Sequence, residues 1–211
     1  MSMMGELTFF LGIQAKQMKD ETFIIQTKYT RDLMKKFGME ASRPDITFAV
    51  GVCATFKSAP KESHMTAAKR ILRYLKGCQG VGLWYPKDGG FKLVGYSDSD
   101  YAGCRVDRKS TLGTCQMLGN RLVSWFNKKQ NSIAASTAEA EFIDVGSCCA
   151  QLLWMRQQLR DYDIEEKEIP IMCDNTNDIS TDKQLADIFT KPLCESMFEE
   201  LKNELGLIEL S

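Results

Sequence analysis

The sequence predicts a mixed α/β protein, and two observations support this fold class. Between residues 91 and 126, three short runs alternate apolar and polar residues in the way that half-buried strands do. From residue 136 onward, apolar residues recur every three or four positions, which is typical of helices. The order strand, strand, strand, helix, strand, helix, helix describes a mixed sheet with helices packed on it.

The first third of the chain is predicted to contain a hairpin and two helices. The runs "ELTFFLGIQAKQ" and "TFIIQTKY" form the hairpin, and "TRDLMKKF" forms a helix that ends at Gly38. The second helix, "KESHMTAAKRILRYLKG", has Ile71 and Leu75 on its apolar side and can end at Gly77. Residues 1–84 are therefore expected to form a small α+β domain, and residues 85–211 a second domain.

The strands of the second domain are followed by a long helix. The strands "FKLVGYSD", "LGTCQMLG" and "RLVSWFN" include a hairpin signal at Gly119-Asn120. The helix begins with a capping-box pattern of Ser136 and Glu139. Its predicted apolar stripe consists of Ala138, Phe142, Val145, Cys149, Leu152 and Leu159.

Three further elements complete the second domain. "EIPIMCDN" predicts a short strand that ends at Asp174. "TDKQLADIFTK" predicts a helix, because Thr181 and Gln184 form a second capping pattern. "FEELKNELG" predicts a last helix that Gly206 ends.

Composition restricts the class of protein. With 211 residues, 44% hydrophobic residues and a net charge of -1, the chain is neither disordered nor a strongly basic, nonspecific nucleic-acid binder. No apolar run approaches the roughly 20 residues of a membrane span, and the start lacks a signal-peptide pattern. We therefore expect an intracellular protein, cytoplasmic or nuclear, with no membrane partner.

The eight cysteines and the single histidine do not form a recognisable metal-binding pattern. No C-x-x-C pair is present, and His64 lies outside any zinc-ligand spacing. Reduced thiols are expected, and a surface or capping role is expected for His64.

Acidic residues provide the most informative pattern. Asp98 and Asp100 end a strand and could share one face, where they would repel each other unless a cation or solvent separates them. A solvated turn accounts for the same pair, since aspartate is an ordinary turn residue. Glu141 lies at the margin of the helix stripe, Asp174 ends a strand, and Asp187 lies between two apolar residues. Carboxylates are the ligands that Mg²⁺ favours, so a shared metal site is one interpretation of these acids.

A resemblance to a known family favours the metal site. The runs "GYSDSDYAG", "DRKSTLG", "VSWFNKKQNSIAASTAEAEFIDVGSCCAQLLWMR", "IPIMCDN" and "TDKQLADIFTKPL" closely resemble the ribonuclease H domain that ends the Pol polyprotein of copia-type LTR retrotransposons, particularly those of plants. The runs "GELTFFLGIQAKQ", "KYTRDLMKKFGM", "RPDITFAV" and "AAKRILRYLKG" resemble the segment that links reverse transcriptase to ribonuclease H. The first domain would then be a reverse transcriptase connection remnant.

The resemblance implies a fold and a reaction. The family's ribonuclease H domain is a five-stranded mixed sheet flanked by helices, with four acids that hold two divalent ions, Mg²⁺ or Mn²⁺. Carried onto this chain, the catalytic and metal-binding residues are Asp98, Glu141, Asp174 and Asp187. The implied reaction is hydrolysis of the RNA strand of an RNA–DNA hybrid, without a small-molecule cofactor. Asp100 and Glu139 are expected to be neighbours of the site.

Four further residues are expected to contact the nucleic acid. Ser136 and Asn175 lie near the acids and could contact 2′-hydroxyl groups of the RNA strand. Lys128 and Lys129 could contact the backbone of the DNA strand, although a solvated strand end accounts for them equally well.

Two junctions depart from the family pattern. A segment is missing between Ser42 and Arg43, and a longer one, which includes the last strand of the sheet, is missing between Ser180 and Thr181. The second loss leaves little chain between Asp174 and Asp187. The alternative function is therefore a non-catalytic remnant that binds nucleic acid or protein. Because the chain lacks a "YVDD"-like acid pair, no polymerase activity is expected, and templated nucleotide incorporation would refute this.

Overall fold

The computed structural model describes residues 9–10, 13–25, 43–88, 90–173 and 184–209. The chain divides into two compact units. The first contains residues 1–89 and 202–211, and the second contains residues 90–201. The sequence placed residues 202–211 in the second domain, whereas here they belong to the first unit. The reason is a strand at Leu207–Glu209, which pairs with a strand at Val81–Pro86.

The first unit contains an antiparallel sheet of five strands among the described residues. In chain order these are β1 (Phe9–Phe10), β2 (Ile13–Gln17), β3 (Glu21–Ile25), β4 (Val81–Pro86) and β9 (Leu207–Glu209), and this is also their order in the sheet. The β2–β3 pairing confirms the predicted hairpin. Phe23 on β3 and Leu83 on β4 are buried in its core. The predicted helix ending at Gly38 lies outside the described residues.

The described residues between β3 and β4 form two helices. Pro44–Ile46 forms a 3₁₀ turn that leads into helix α1 (Thr47–Thr55), and α2 (Glu62–Gly77) confirms the second predicted helix. Ile46, Ile71 and Leu75 form a small buried cluster between these elements.

A buried ion pair connects the start of α1 to the end of α2. The guanidinium of Arg43 donates to both carboxylate oxygens of Asp45, at 3.1 and 2.5 Å, and to the carbonyl of Cys78 at 2.8 Å. Tyr74 donates its hydroxyl to the same carboxylate at 2.8 Å. Because all of these polar groups have partners, the buried charges do not carry the full cost of desolvation.

The second unit contains the mixed sheet that the sequence predicts. Its strands are β5 (Leu93–Asp100), β6 (Thr111–Leu118), β7 (Arg121–Lys129) and β8 (Ile171–Cys173), in the order β7-β6-β5-β8. β5 and β6 pair antiparallel, as do β6 and β7, whereas β8 runs parallel to β5. Four strands are present in the described part of this unit, compared with the family's five. The mixed sheet with helices confirms the predicted fold class.

Helix α3 (Thr137–Arg160) crosses from β7 to β8 and packs on the sheet. Its start confirms Ser136 as the N-cap, because Ser136 Oγ accepts from the Glu139 amide at 3.1 Å, while Glu139 Oε2 accepts from the Ala135 amide at 2.6 Å. Of the six residues in the predicted apolar stripe, Leu152 is buried, but the other five are not. The helix buries Ala140, Asp144, Cys148 and Leu152, whereas Phe142 is 77% exposed.

Close packing at a glycine explains which face of α3 is buried. A Cβ atom on Gly95 of β5 would lie 2.7 Å from both Cys148 Sγ and Leu152 Cδ1. Small side chains on the inner face, such as Ala140 and Cys148, allow the helix this near to the sheet. The size of the side chains at the contact, more than their hydrophobicity, therefore determines which face of α3 is buried.

The last elements differ in part from the sequence prediction. "LADIF" forms a five-residue 3₁₀ helix, Leu185–Phe189, instead of the predicted α-helix, and Gln184 caps it. The final helix, α4 (Glu195–Glu204), is confirmed, and Gly206 follows it with a φ of 75°. All eight cysteines are free thiols. None of the helices in the described part is long and apolar enough to span a membrane.

The β3–β4 pairing requires glycine at position 82. A Cβ atom there would lie 2.4 Å from the backbone oxygen of Ile24, which cannot move without disturbing the sheet. We expect Gly82→Ala to lower the free energy of unfolding by about 1–3 kcal/mol, measured by urea titration. Gly77→Ala is the matched control, because nothing lies within 4 Å of its Cβ. Equal stability of the two variants would contradict this account.

Candidate functional site

Asp98 and Asp100 end β5 but have different environments. Asp98 is only 5% exposed and is paired in register with Gly113 of β6. The carboxylate of Asp100 lies against the following turn, so that a Cβ on Gly103 would come within 1.8 Å of Asp100 Oδ2. A larger residue at position 103 would therefore require the Asp100 carboxylate to shift. Of the two acids, Asp98 is the one that faces buried polar neighbours.

Residues 184–191 pack against the same part of the sheet. Gln184 Nε2 donates to the carbonyls of Ser97, at 3.1 Å, and Met172, at 3.3 Å, and so connects the segment to β5 and β8. Asn127 on β7 donates to the carbonyl of Phe189. These contacts fix the 3₁₀ helix across the sheet despite the short preceding chain.

A glycine allows the 3₁₀ helix to approach the sheet. A Cβ on Gly113 would lie 2.5 Å from Thr190 Cγ2 and 2.9 Å from Phe189 Cβ. Gly113 is opposite Asp98 in the β5–β6 ladder. Because the 3₁₀ helix approaches the sheet closely at this point, Asp187, Thr190 and Lys191 lie near the Asp98 carboxylate.

Asp98 and Asp187 are bridged by one ammonium group. Lys191 Nζ lies 3.1 Å from Asp98 Oδ1 and 3.0 Å from Asp187 Oδ1. The hydroxyl of Thr190 donates to the second oxygen of Asp98. Both carboxylates are buried, and the structure thus brings together two of the four acids that the sequence predicts.

The charge on Lys191 is stabilised by this arrangement. Burial opposes the ammonium charge, but the Asp98 carboxylate and the hydrogen bond to Asp187 outweigh burial and raise the pKa of Lys191 above its usual value. Asp100 has a raised pKa because of burial and the nearby charge of Asp98.

Asp144 is a further buried acid beside the site, and it is not among the acids that the sequence pattern predicts. It is fully buried on α3, and neither carboxylate oxygen makes a well-formed hydrogen bond. Burial raises its pKa from 3.8 to about 8, although the hydroxyl of Ser97 and the amide of Gly113 act in the opposite direction. Asp144 is therefore mostly protonated at neutral pH. The sequence signal for a buried acid is its spacing, because Asp144 lies one turn after Ala140 and one turn before Cys148.

The structure also describes four of the other predicted site residues. Glu141 is half-buried on α3, Ser136 caps that helix, and Lys128 is exposed on β7. Lys129 forms an ion pair with Asp107 at 2.8 Å. Asp174 and Asn175 lie outside the described residues, so their part in the site stays a prediction.

Asp98 and Asp187 supply carboxylates, the type of ligand that divalent cations prefer. Two buried carboxylates that converge on one positive charge form the kind of oxygen-rich environment that Mg²⁺ and Mn²⁺ favour. Among the described residues, no group of three or more His, Cys, Asp or Glu side chains is close enough to hold an ion. The ammonium of Lys191 takes the position between these two carboxylates.

The strand order, the crossing helix and the paired acids define a mixed-sheet domain of ribonuclease H-like architecture. Comparison with known proteins finds similar sequences among the Pol polyproteins of plant transposons. The Pol polyprotein of the Arabidopsis thaliana transposon RE1 is 27% identical over 279 aligned positions, which cover 96% of this chain and 19% of that protein. The Pol polyprotein of the tobacco transposon TNT 1-94 is 36% identical and covers 70% of this chain.

The chain belongs to the family of retrovirus-related Pol polyproteins of copia-type retrotransposons. It spans about a fifth of the length of the RE1 and RE2 polyproteins, 19% in each case. The RE1 alignment has 279 positions and the chain has 211 residues, so RE1 contains segments that this chain lacks.

A relative of another kind is also similar. The secreted RxLR effector protein 161 of Plasmopara viticola is 41% identical over 122 residues, which cover 58% of this chain and 86% of that protein. No protein family model matches the chain. No solved structure matches it either.

The buried acid Asp144 is predicted to destabilise the fold at neutral and alkaline pH. The folded protein retains a proton that the unfolded chain releases between about pH 4 and 8, so the free energy of unfolding decreases as pH rises through that window. Asp144→Asn should raise the free energy of unfolding at pH 8 by about 1–3 kcal/mol and flatten its pH dependence. Chemical denaturation from pH 5 to 9 measures this. Asp88→Asn, at an exposed position, is the control, and an unchanged pH profile for Asp144→Asn would contradict the prediction.

The close approach at Gly113 is predicted to hold residues 184–191 in place. Gly113→Ala should displace the 3₁₀ helix and speed amide hydrogen exchange in residues 184–191, because the new Cβ would overlap Thr190 and Phe189. Mass spectrometry of exchange in the peptides measures the effect. Gly146→Ala, on α3 with open space around its Cβ, should leave exchange in that segment unchanged. Equal protection in both variants would count against this role.

Proposed function

We propose that residues 90–201 form a retrotransposon-derived ribonuclease H-type domain that hydrolyses the RNA strand of RNA–DNA hybrids with Mg²⁺ or Mn²⁺. The convergence of Asp98 and Asp187 on one cation, beside the central strand β5, supports this most strongly. The first unit is proposed to derive from the segment that links reverse transcriptase to ribonuclease H.

In this proposal the chain itself supplies position and charge. Asp98 and Asp187 would hold a divalent ion, together with Glu141 and Asp174 as the predicted further ligands. Such ions, when bound, supply activation of a water molecule and stabilisation of the leaving 3′-oxygen. Thr190 orients the Asp98 carboxylate through its hydroxyl. Gln184 and Asn127 fix the segment that carries Asp187.

Nucleic-acid contacts are proposed for polar and basic residues. Lys128 is exposed and can meet the DNA backbone, whereas Lys129 would first have to leave Asp107. Ser136 Oγ already accepts from the Glu139 amide, and its hydroxyl can still donate to a 2′-hydroxyl. Asn175 is proposed to contact the RNA strand as well. In the first unit, α2 carries a group of exposed cations that complement phosphate charge: Lys69, Arg70, Arg73 and Lys76.

A non-catalytic remnant that binds nucleic acid or protein is the second candidate. Two observations favour it. An ammonium group lies between the carboxylates, and the chain lacks segments that its relative RE1 contains. In this case the sheet would persist as a scaffold without hydrolysis.

Cleavage of a hybrid distinguishes the two functions. The purified full chain, incubated with a labelled RNA–DNA hybrid and Mg²⁺ or Mn²⁺, should cleave the RNA strand, and chelation should stop cleavage. Asp98→Asn should lower the rate at least about 100-fold, since it removes a carboxylate from the cation site. Asp100→Asn makes the same charge change two residues away, where the side chain lies over Gly103, and should retain activity. A cooperatively folded protein that binds the hybrid without cleaving it would support the remnant instead.

A further inference from the structure

Lys191 is placed where a positive charge is most strongly attracted. Its ammonium lies about equally far from Asp98 Oδ1 and Asp187 Oδ1, at 3.1 and 3.0 Å. The two carboxyl side chains are only 4% and 10% exposed, so water screens their mutual repulsion poorly. An ammonium between them offsets that repulsion, and the two acids can stay together without any other cation.

The local backbone directs Lys191 to this position. The amides of Thr190 and Lys191 both donate to the carbonyl of Asp187, at 3.1 and 3.0 Å, which turns the chain back over Asp187. Pro192 follows and favours an extended backbone at Lys191, so the helical turn ends there. The lysine side chain is therefore held one turn after Asp187 and beside Asp98.

Lys191 also has a route out of the site. Its side chain is 34% exposed, whereas the two carboxylates are almost fully buried. A long, flexible side chain with its stem at the surface can rotate toward solvent while the acids remain in place.

We propose that Lys191 is an internal cation that occupies the Asp98–Asp187 site in the metal-free protein and competes with the divalent ion for it. This inference rests on the proposed function only in taking Asp98 and Asp187 as metal-binding residues. An ammonium and a divalent ion cannot both lie within contact distance of the same two oxygens without strong repulsion. Metal binding therefore requires Lys191 to move toward solvent, and the affinity for metal is lower than the two carboxylates alone would give.

Metal titration of the full chain tests the competition directly. Lys191→Met keeps the length of the side chain but removes its charge, and it should bind Mn²⁺ at least about ten-fold more tightly, measured by calorimetry or by the electron paramagnetic resonance of free Mn²⁺. Its melting temperature should fall without metal and rise more steeply with Mn²⁺ than that of the unaltered protein. Lys92→Met removes an exposed lysine of the same unit and should match the unaltered protein in both measurements.

Further variants separate the charge of Lys191 from its size and from the acids around it. Lys191→Arg retains a cation and should keep the weak affinity, whereas Asp98→Asn combined with Lys191→Met should lose the tight binding. Lys191→Gln replaces the methionine variant should that variant not fold. Equal or weaker Mn²⁺ binding by the neutral variants, or no binding by any variant, would overturn the inference.

Hybrid cleavage, followed in the same samples, separates this inference from the proposed function. Tighter Mn²⁺ binding by Lys191→Met with no cleavage by any variant would uphold the competition and reject the nuclease. Metal-dependent cleavage by the unaltered protein, with an unchanged Mn²⁺ affinity for Lys191→Met, would uphold the nuclease and reject the competition.

Discussion

The bridge from Asp98 through Lys191 to Asp187 is the interaction on which the second unit's site depends. It connects the end of the central strand β5 to the 3₁₀ helix, two elements that lie far apart in the chain. Without a cation there, two buried carboxylates would face each other, and their repulsion would oppose the packing of residues 184–191. Thr190 and Gln184 add hydrogen bonds, but the opposite charge at these two carboxylates comes from Lys191.

Glycines on the sheet make this bridge geometrically possible. Gly95 allows α3 to pack closely on the sheet, and Gly113 allows the 3₁₀ helix to do the same. Any larger residue at either position would overlap its neighbours. Both glycines lie on strands, where glycine usually weakens the strand. The loss of local stability is offset by the close packing of the layers that carry the acids.

Asp144 shows that this close packing also has a cost. The inner face of α3 faces the sheet near Asp98, and it buries a carboxyl group without a well-formed hydrogen bond. A protonated acid is tolerated there because it carries no charge. The region around Asp98 thus combines one buried acid bridged by a cation and another that remains neutral.

The sequence by itself determined the strands of the second unit, the positions of α3 and α4, and the family, whose resemblance also placed Asp98 and Asp187 in one site. Local patterns suffice for the strands and helices, because alternation, capping residues and glycine turns act over a few residues, and the resemblance to the family supplied the pairing. Only the tertiary structure decided which face of α3 is buried, because the side-chain size tolerated at Gly95 sets that orientation. It also decided that "LADIF" forms a 3₁₀ turn and that Leu207–Glu209 joins the first unit. The place of Lys191 likewise depends on contacts between distant residues, and the spacing of charges along the chain cannot encode them.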